Sequence, residues 1–254
     1  MSDTLTLGAD PTIEAVHNAG VGLLKTDTAA ADEQLRTARN LLPQAYEGRP
    51  EALILHSARL ERDLGQSALR EAINGMPTSE MSDQDRQNAI HNQARLVGDA
   101  AKLLRASENG ISALMNNGTD WSEADRARLN AEYGATLSWQ ARRLLGKRAI
   151  GFPQANATNG ARELFDHARL RLKIGDNLYY ETSNNMHAAR FEASEGNVGT
   201  ALTWLGRAAV SIGLHAIVAP KDSVNSLRTA FRLGKDIALL KRRKIDHTIQ
   251  AGGI

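Results

Sequence analysis

The stretch ASEGNVGTALTWLGRAAVSIG, Ala193 to Gly213, decides how the chain is read. SEGN closes one helix and turns, and Val198 opens another in which small residues recur at fixed steps. Ala201, Leu205 and Ala208 follow at steps of four and three, with Gly196 at the turn and Ala189 on the preceding helix. Such steps keep one helix face small, so an antiparallel neighbour approaches closely while the leucine fills the gap to the next pair. A pair built this way cannot bury both faces alone, and further pairs must stack on it to complete a core. Gly199, Gly206 and Gly213 recur every seven residues. Glycines inside a helix cost about 1 kcal/mol each against alanine, so a partner backbone packed against them is expected.

Working outward, nearly all of the chain reads as helix, since period-two alternation and hairpin turns between β-branched runs are missing. ADPTIEAV opens a first helix with Asp10 as N-cap and Pro11 at its first position. Asp27 caps a second helix reaching Tyr46, and a third begins near Pro50. Long helices follow over about 83–107, after SEMSDQD, and about 121–146, after GTDWSEAD, the latter capped by Asp120 or Ser122. GKRAIGFPQANATNGA, residues 146–161, is the one Gly-, Asn- and Pro-rich break. Helices are expected beyond it over 160–174, 177–194, 198–213 and 222–245, separated by IGDN and SEGN, for a helix count near ten.

Ala31, Leu35, Ala38 and Pro43 fall at steps of four, three and five, and Gly65, Leu69, Ala72 and Pro77 repeat them 34 residues later. Leu103 and Ala106 extend the series, and Ala201, Leu205 and Ala208 fit it again. This pattern resembles the second helix of a tetratricopeptide repeat. The fold expected is all-α: antiparallel helix pairs stacked as a tetratricopeptide-like array, with an irregular helical bundle as the alternative. The division is 1–78 (N-terminal pairs), 79–150 (a long helical hairpin), 151–160 (a linker) and 161–254 (C-terminal helices ending in a basic one). The resemblance implies an inner surface lined by first helices. In the last unit that exposes Ser183, Met186, Arg190, Ala193 and Ser194 to a bound peptide, bordered by Tyr179 and Tyr180.

With no cysteine in 254 residues, disulfides, thiolate metal sites and cysteine nucleophiles are excluded. The N-terminus carries neither a basic n-region nor an apolar h-region, so a cytoplasmic protein is expected. Residues 198–219 are fairly apolar, but Arg207 lies near their middle at a cost of about 2.5–3.5 kcal/mol, which favours a buried helix over a membrane span. An arginine-rich, lysine-poor composition fits a bacterial chain. No phosphate-binding or dinucleotide-binding glycine motif is present. Glu14 and His17 in EAVH form half of a di-iron carboxylate motif without the other half, and the seven histidines are scattered. Neither cofactor, metal nor catalytic residues are therefore expected.

Charge concentrates at the C-terminus. Lys221 to His247 hold eight Lys or Arg against three Asp, and Arg228, Arg232, Lys235, Lys241, Arg242, Arg243 and Lys244 form a basic patch beside an apolar row of Val224, Leu227, Phe231 and Ile237. Such a helix serves as a solvated terminal cap, as an electrostatic patch for nucleic acid, or as a dock for an acidic protein or anionic membrane. The function expected is a non-catalytic protein- or peptide-binding scaffold. The alternatives are nucleic-acid association through the basic helix and an enzyme whose site lies hidden between helices.

Overall fold

The computed structural model describes the backbone of residues 7–75, 77–149, 157–218 and 220–251, and side chains over 7–75, 77–144, 159–217, 223–224 and 226–239. The described residues form nine α-helices and no strand: α1 Pro11–Leu23, α2 Thr28–Ala45, α3 Pro50–Asn74, α4 Asp83–Asn116, α5 Glu123–Ala149, α6 Ala157–Ile174, α7 Leu178–Ser194, α8 Val198–Val218 and α9 Pro220–Ala251. The fold is all-α.

Local chemistry sets most helix starts. The Asp10 carboxylate accepts from the Thr12 and Ile13 amides, Asp27 from Ala30, Ser82 from Asp85 and Asn177 from Tyr180. Ser122, one of the two caps expected for α5, accepts from the Asp125 amide and donates to its carboxylate. The helix ends depart further from expectation. α4 continues nine residues past Ser107 to Asn116, because Ile111 and Leu114 extend its buried row and Gly110 lies against Ala58 of α3. Residues 157–160 of the expected linker are the first turn of α6, while 151–156 lie outside the described residues.

Packing follows a two-layer rule. Each helix packs on its neighbours in sequence, and α3, α5, α7 and α9 also pack in turn on one another. α1 joins that layer through ion pairs to α3. Core clusters run through both layers: Ile13, Leu35, Ala38 and Leu60 join α1–α3, Leu69, Val97 and Leu104 join α3 to α4, and Phe165, Ala189, Trp204 and Ile237 join α6–α9. The expected boundary at residue 78 thus falls between two helices that pack together.

The 34-residue step does not carry one helix onto its equivalent. Its matching residues lie on α2, then α3, then α4, although Ala31, Leu35, Ala38, Ala201 and Ala208 are all core residues. Nor does anything lie within 4 Å of a Cβ built at Gly199, Gly206 or Gly213, so the expected partner backbone is absent among the described residues. Glycines are needed elsewhere. In SEGN the Asn197 amide reaches back to Glu192 O at 2.8 Å and Gly196 has φ +78°, a helix-ending turn that favours glycine. In IGDN the same bond joins Asn177 to Leu172 at 3.1 Å, but Asp176 takes the left-handed place with φ +48°. Its glycine stands one position earlier, at Gly175, where a Cβ would come within 2.5 Å of the Ala131 amide nitrogen of α5.

Candidate functional site

Charged side chains, usually solvated, fill the layer formed by α1, α3, α5 and α7. Arg62 of α3 is only 2 % exposed. Its Nε donates to Asp63 Oδ1 at 3.0 Å, its Nη2 to Asp63 Oδ2 at 3.1 Å, and its Nη1 to Glu132 of α5. Arg59 grips Glu14 of α1 with two 2.9 Å bonds, and its Nε lies 3.1 Å from Glu132 Oε1. His17 Nε2 is 2.8 Å from Asp63 Oδ2. Burial alone would raise the Asp63 and Glu132 carboxyls, but Arg62 overrides it and holds both below the usual carboxylate range. Glu14 and His17, the half motif of EAVH, are thus absorbed by ion pairing, and no group of residues able to hold a metal occurs among the described residues.

His56 makes this layer pH-sensitive. It stacks on Tyr46 at 4.8 Å between ring centroids, and its Nδ1 lies 3.2 Å from Arg59 Nη1, where only a neutral ring can accept. Burial first, then the Arg59 charge, pushes it down to about 4. Burial, helped by Arg142, Arg190 and Arg70, holds His187 well below its ordinary value too. Below pH ~6.5 the unfolded chain therefore takes up protons that the folded chain refuses, and stability present at pH 7 falls with pH. Urea unfolding should lose about 3 kcal/mol through His56 between pH ~6.5 and ~4, and His56→Gln should remove that part of the decline. A flat profile over this interval contradicts the assignment.

Beside the network lies a cluster of cations without acids. Arg142 of α5 donates to Ser138 Oγ at 3.4 Å and to Ser183 Oγ of α7 at 2.9 Å. Its guanidinium lies 4.2 Å from the centre of the Trp139 ring, with Arg70 of α3 at 6.0 Å from the same ring. His187 and Arg190 of α7 complete the group, and all three arginines act electrostatically on His187. Among the described residues no carboxylate pairs with Arg70, Arg142 or Arg190, and the Arg70 and Arg142 Nε atoms are buried without acceptors. Burial, then Arg70 and Arg190, pushes Arg142 down to about 9, still charged at neutral pH. Uncompensated buried charge is costly, and a ring face and two hydroxyls offset it only in part. The cluster reaches the surface at Arg190 and at Tyr179, which is 52 % exposed.

The structure therefore places Ser183 and Arg190 at this site, together with Tyr179. Met186 packs into the α6–α9 core, and the Ser194 hydroxyl is turned back onto Phe191 O at 2.7 Å. Arg70, Trp139, Arg142 and His187 are members that the sequence reading missed. A signal for them exists: none of the three arginines has an acid three or four positions away on its helix, whereas Arg36, Arg59 and Arg95 each do. In the C-terminal patch Arg228, Arg232 and Lys235 are exposed, and the side chains of Lys241, Arg242, Arg243 and Lys244 lie outside the described residues. A separate cleft of about 400 Å³ between α6, α7 and α8 is lined by Arg162, Asp166, Phe191, Glu192 and Trp204. Its charges are already paired, Arg162 holding Glu192 at 2.6 and 2.9 Å and Asp166 lying 3.8 Å from Arg169 and 3.9 Å from Arg207. No family model, curated protein or solved structure matches this chain.

Proposed function

We propose that the chain is a non-catalytic helical scaffold that binds an acidic segment of a partner protein across α3, α5 and α7. The observation that carries this reading is the group Arg70, Arg142 and Arg190, which no carboxylate among the described residues pairs with, around the half-buried Trp139 and the exposed Tyr179. An incoming carboxylate would meet guanidinium charge that no described carboxylate compensates, nearest the surface at Arg190, and Tyr179 offers a flat apolar contact beside it. The packing of alternate helices into one layer supports the comparison with stacked-pair scaffolds, which use such a layer to hold extended ligands.

The test is fluorescence anisotropy with a labelled Glu-rich peptide and its Gln-substituted counterpart. The Glu peptide should bind and the Gln peptide should not. Arg142→Gln should weaken binding about tenfold to a hundredfold, the effect of one hydrogen bond to a charged group. The same substitution removes an unpaired buried charge, so the unliganded variant should unfold at the wild-type denaturant concentration or above it. Undiminished binding, or clear destabilisation of the unliganded variant, makes Arg142 a structural residue and overturns the proposal.

A further inference from the structure

The helical hairpin α8–α9 turns an apolar face outward. α8 buries Ala201, Trp204, Ala208 and Ile212. On its opposite side Leu202, Val210, Leu214 and Ile217 are exposed, Val210 by 65 % and Ile217 by 80 %. The three open glycines of α8 share that side. α9 exposes Val224, Leu227 and Phe231, the last by 78 %. A Cβ built at Gly234 of α9 would lie 3.1 Å from Leu205 of α8. From that point the two helices run antiparallel, and helical spacing brings Phe231 and Leu227 alongside Ala209 and Gly213, so both rows flank one seam. Exposed contiguous apolar surface of this kind marks an interaction site.

Charge identifies the occupant. α8 contains no acidic residue, and the exposed Arg228, Arg232 and Lys235 stand next to the Phe231 row on α9. A second copy of the chain would bring two sets of these cations together, and a nucleic acid offers nothing to the apolar row. An anionic lipid surface satisfies both, taking apolar side chains below its headgroups and cations among them. We propose that the α8–α9 face docks on an anionic membrane surface, lying on it rather than crossing it. Among the described residues no helix is long and apolar enough to span a bilayer.

Co-sedimentation of the full chain with vesicles tests this, using phosphatidylcholine alone and phosphatidylcholine with roughly a third phosphatidylserine. The chain should sediment with the anionic vesicles at least about tenfold more strongly than with neutral ones, and added salt should release it. Phe231→Ser with Ile217→Ser should weaken partitioning about tenfold or more. Arg228→Glu with Arg232→Glu should weaken it about thirtyfold or more. All four residues are exposed, so both variants should keep the wild-type circular dichroism. Arg142→Gln should sediment like wild type, which separates this proposal from the acidic-peptide reading. Absent or equal partitioning overturns it. If a concentration-dependent dimer or a duplex-DNA complex is lost in these variants while vesicles are ignored, the face belongs to a second copy or to nucleic acid instead.

Discussion

Glu132→Gln should lower the unfolding free energy by about 3–5 kcal/mol, the usual cost of removing one partner from a buried ion pair. The side chain keeps its shape and loses only its charge and half of its acceptor capacity. Arg62 then retains a single carboxylate, Asp63, while buried at 2 % exposure, and Arg59 retains Glu14. The new amide group also points N–H donors at guanidinium donors. Urea unfolding followed by circular dichroism reads the loss directly. Arg62→Met in the same background should cost less than the sum of the two single changes, because it removes the charge that Glu132→Gln leaves stranded. A loss under about 1 kcal/mol would mean that solvent screens these groups as it screens a surface pair.

This network and the cationic cluster occupy one continuous layer, which gives the two a common logic. Arg62 lies over the Tyr180 ring at 5.6 Å, and Tyr180 meets Tyr179 edge-on at 5.5 Å. Along α3, α5 and α7 the balance of charge therefore changes. Near α1, the three carboxylates Glu14, Asp63 and Glu132 surround Arg59 and Arg62, so each of these cations has acid partners. Farther along, no carboxylate among the described residues pairs with Arg70, Arg142 or Arg190. The matched end fixes the relative positions of α1, α3 and α5 through bonds of defined geometry. The unmatched end shares that framework, which holds its arginines in place; under the function proposed above, this lowers the entropy cost of binding an acidic segment.

The sequence made helix starts legible because they depend on one or two residues: Asp10 with Pro11, Asp27, Ser82 and Ser122 all act locally. Helix ends and repeat register were less legible because packing between distant segments decides them. The expected end of α4 lies near Ser107, yet the helix runs on through Gly110, where Ala58, far back in the chain, packs against it. Leu69 and Ala72 match the spacing of Leu35 and Ala38, but core packing places the two pairs on helices of different layers. At the candidate site, Ser183 and Arg190 are legible only as what the tetratricopeptide resemblance implies for the exposed face of one helix. Arg142 could not be joined to them, because the 2.9 Å contact with Ser183 spans 41 residues. Arg62 looks like any solvated charge on a helix until Glu132, 70 residues away, is brought to it.

Glycine chemistry yields the second large effect, and two substitutions of the same kind should differ in sign. Gly175→Ala places a methyl group 2.5 Å from the Ala131 nitrogen, 2.7 Å from Ala127 O and 2.8 Å from the Ala131 Cα. All three atoms belong to the α5 backbone, so no side chain can rotate aside. Relief requires α5 and α6 to separate, and Gly134 shows how little slack exists: a Cβ there would be 2.7 Å from Leu172 Cγ and 2.9 Å from Ala168 O. Overpacking of a core usually costs about 1–3 kcal/mol, and a rigid backbone obstacle places Gly175→Ala at or above the upper end. For a chain of this size that lowers the melting temperature by about 10 °C. Gly206→Ala adds its methyl group to open space on an exposed helix interior and should instead stabilise by about 0.5–1 kcal/mol, through helix propensity and a less flexible unfolded chain. Thermal unfolding of the two variants side by side is the check. Equal melting temperatures would mean that α5 and α6 do not approach as closely as Gly175 and Gly134 indicate, and the rigid layer that positions Arg142 would lose its support on that side.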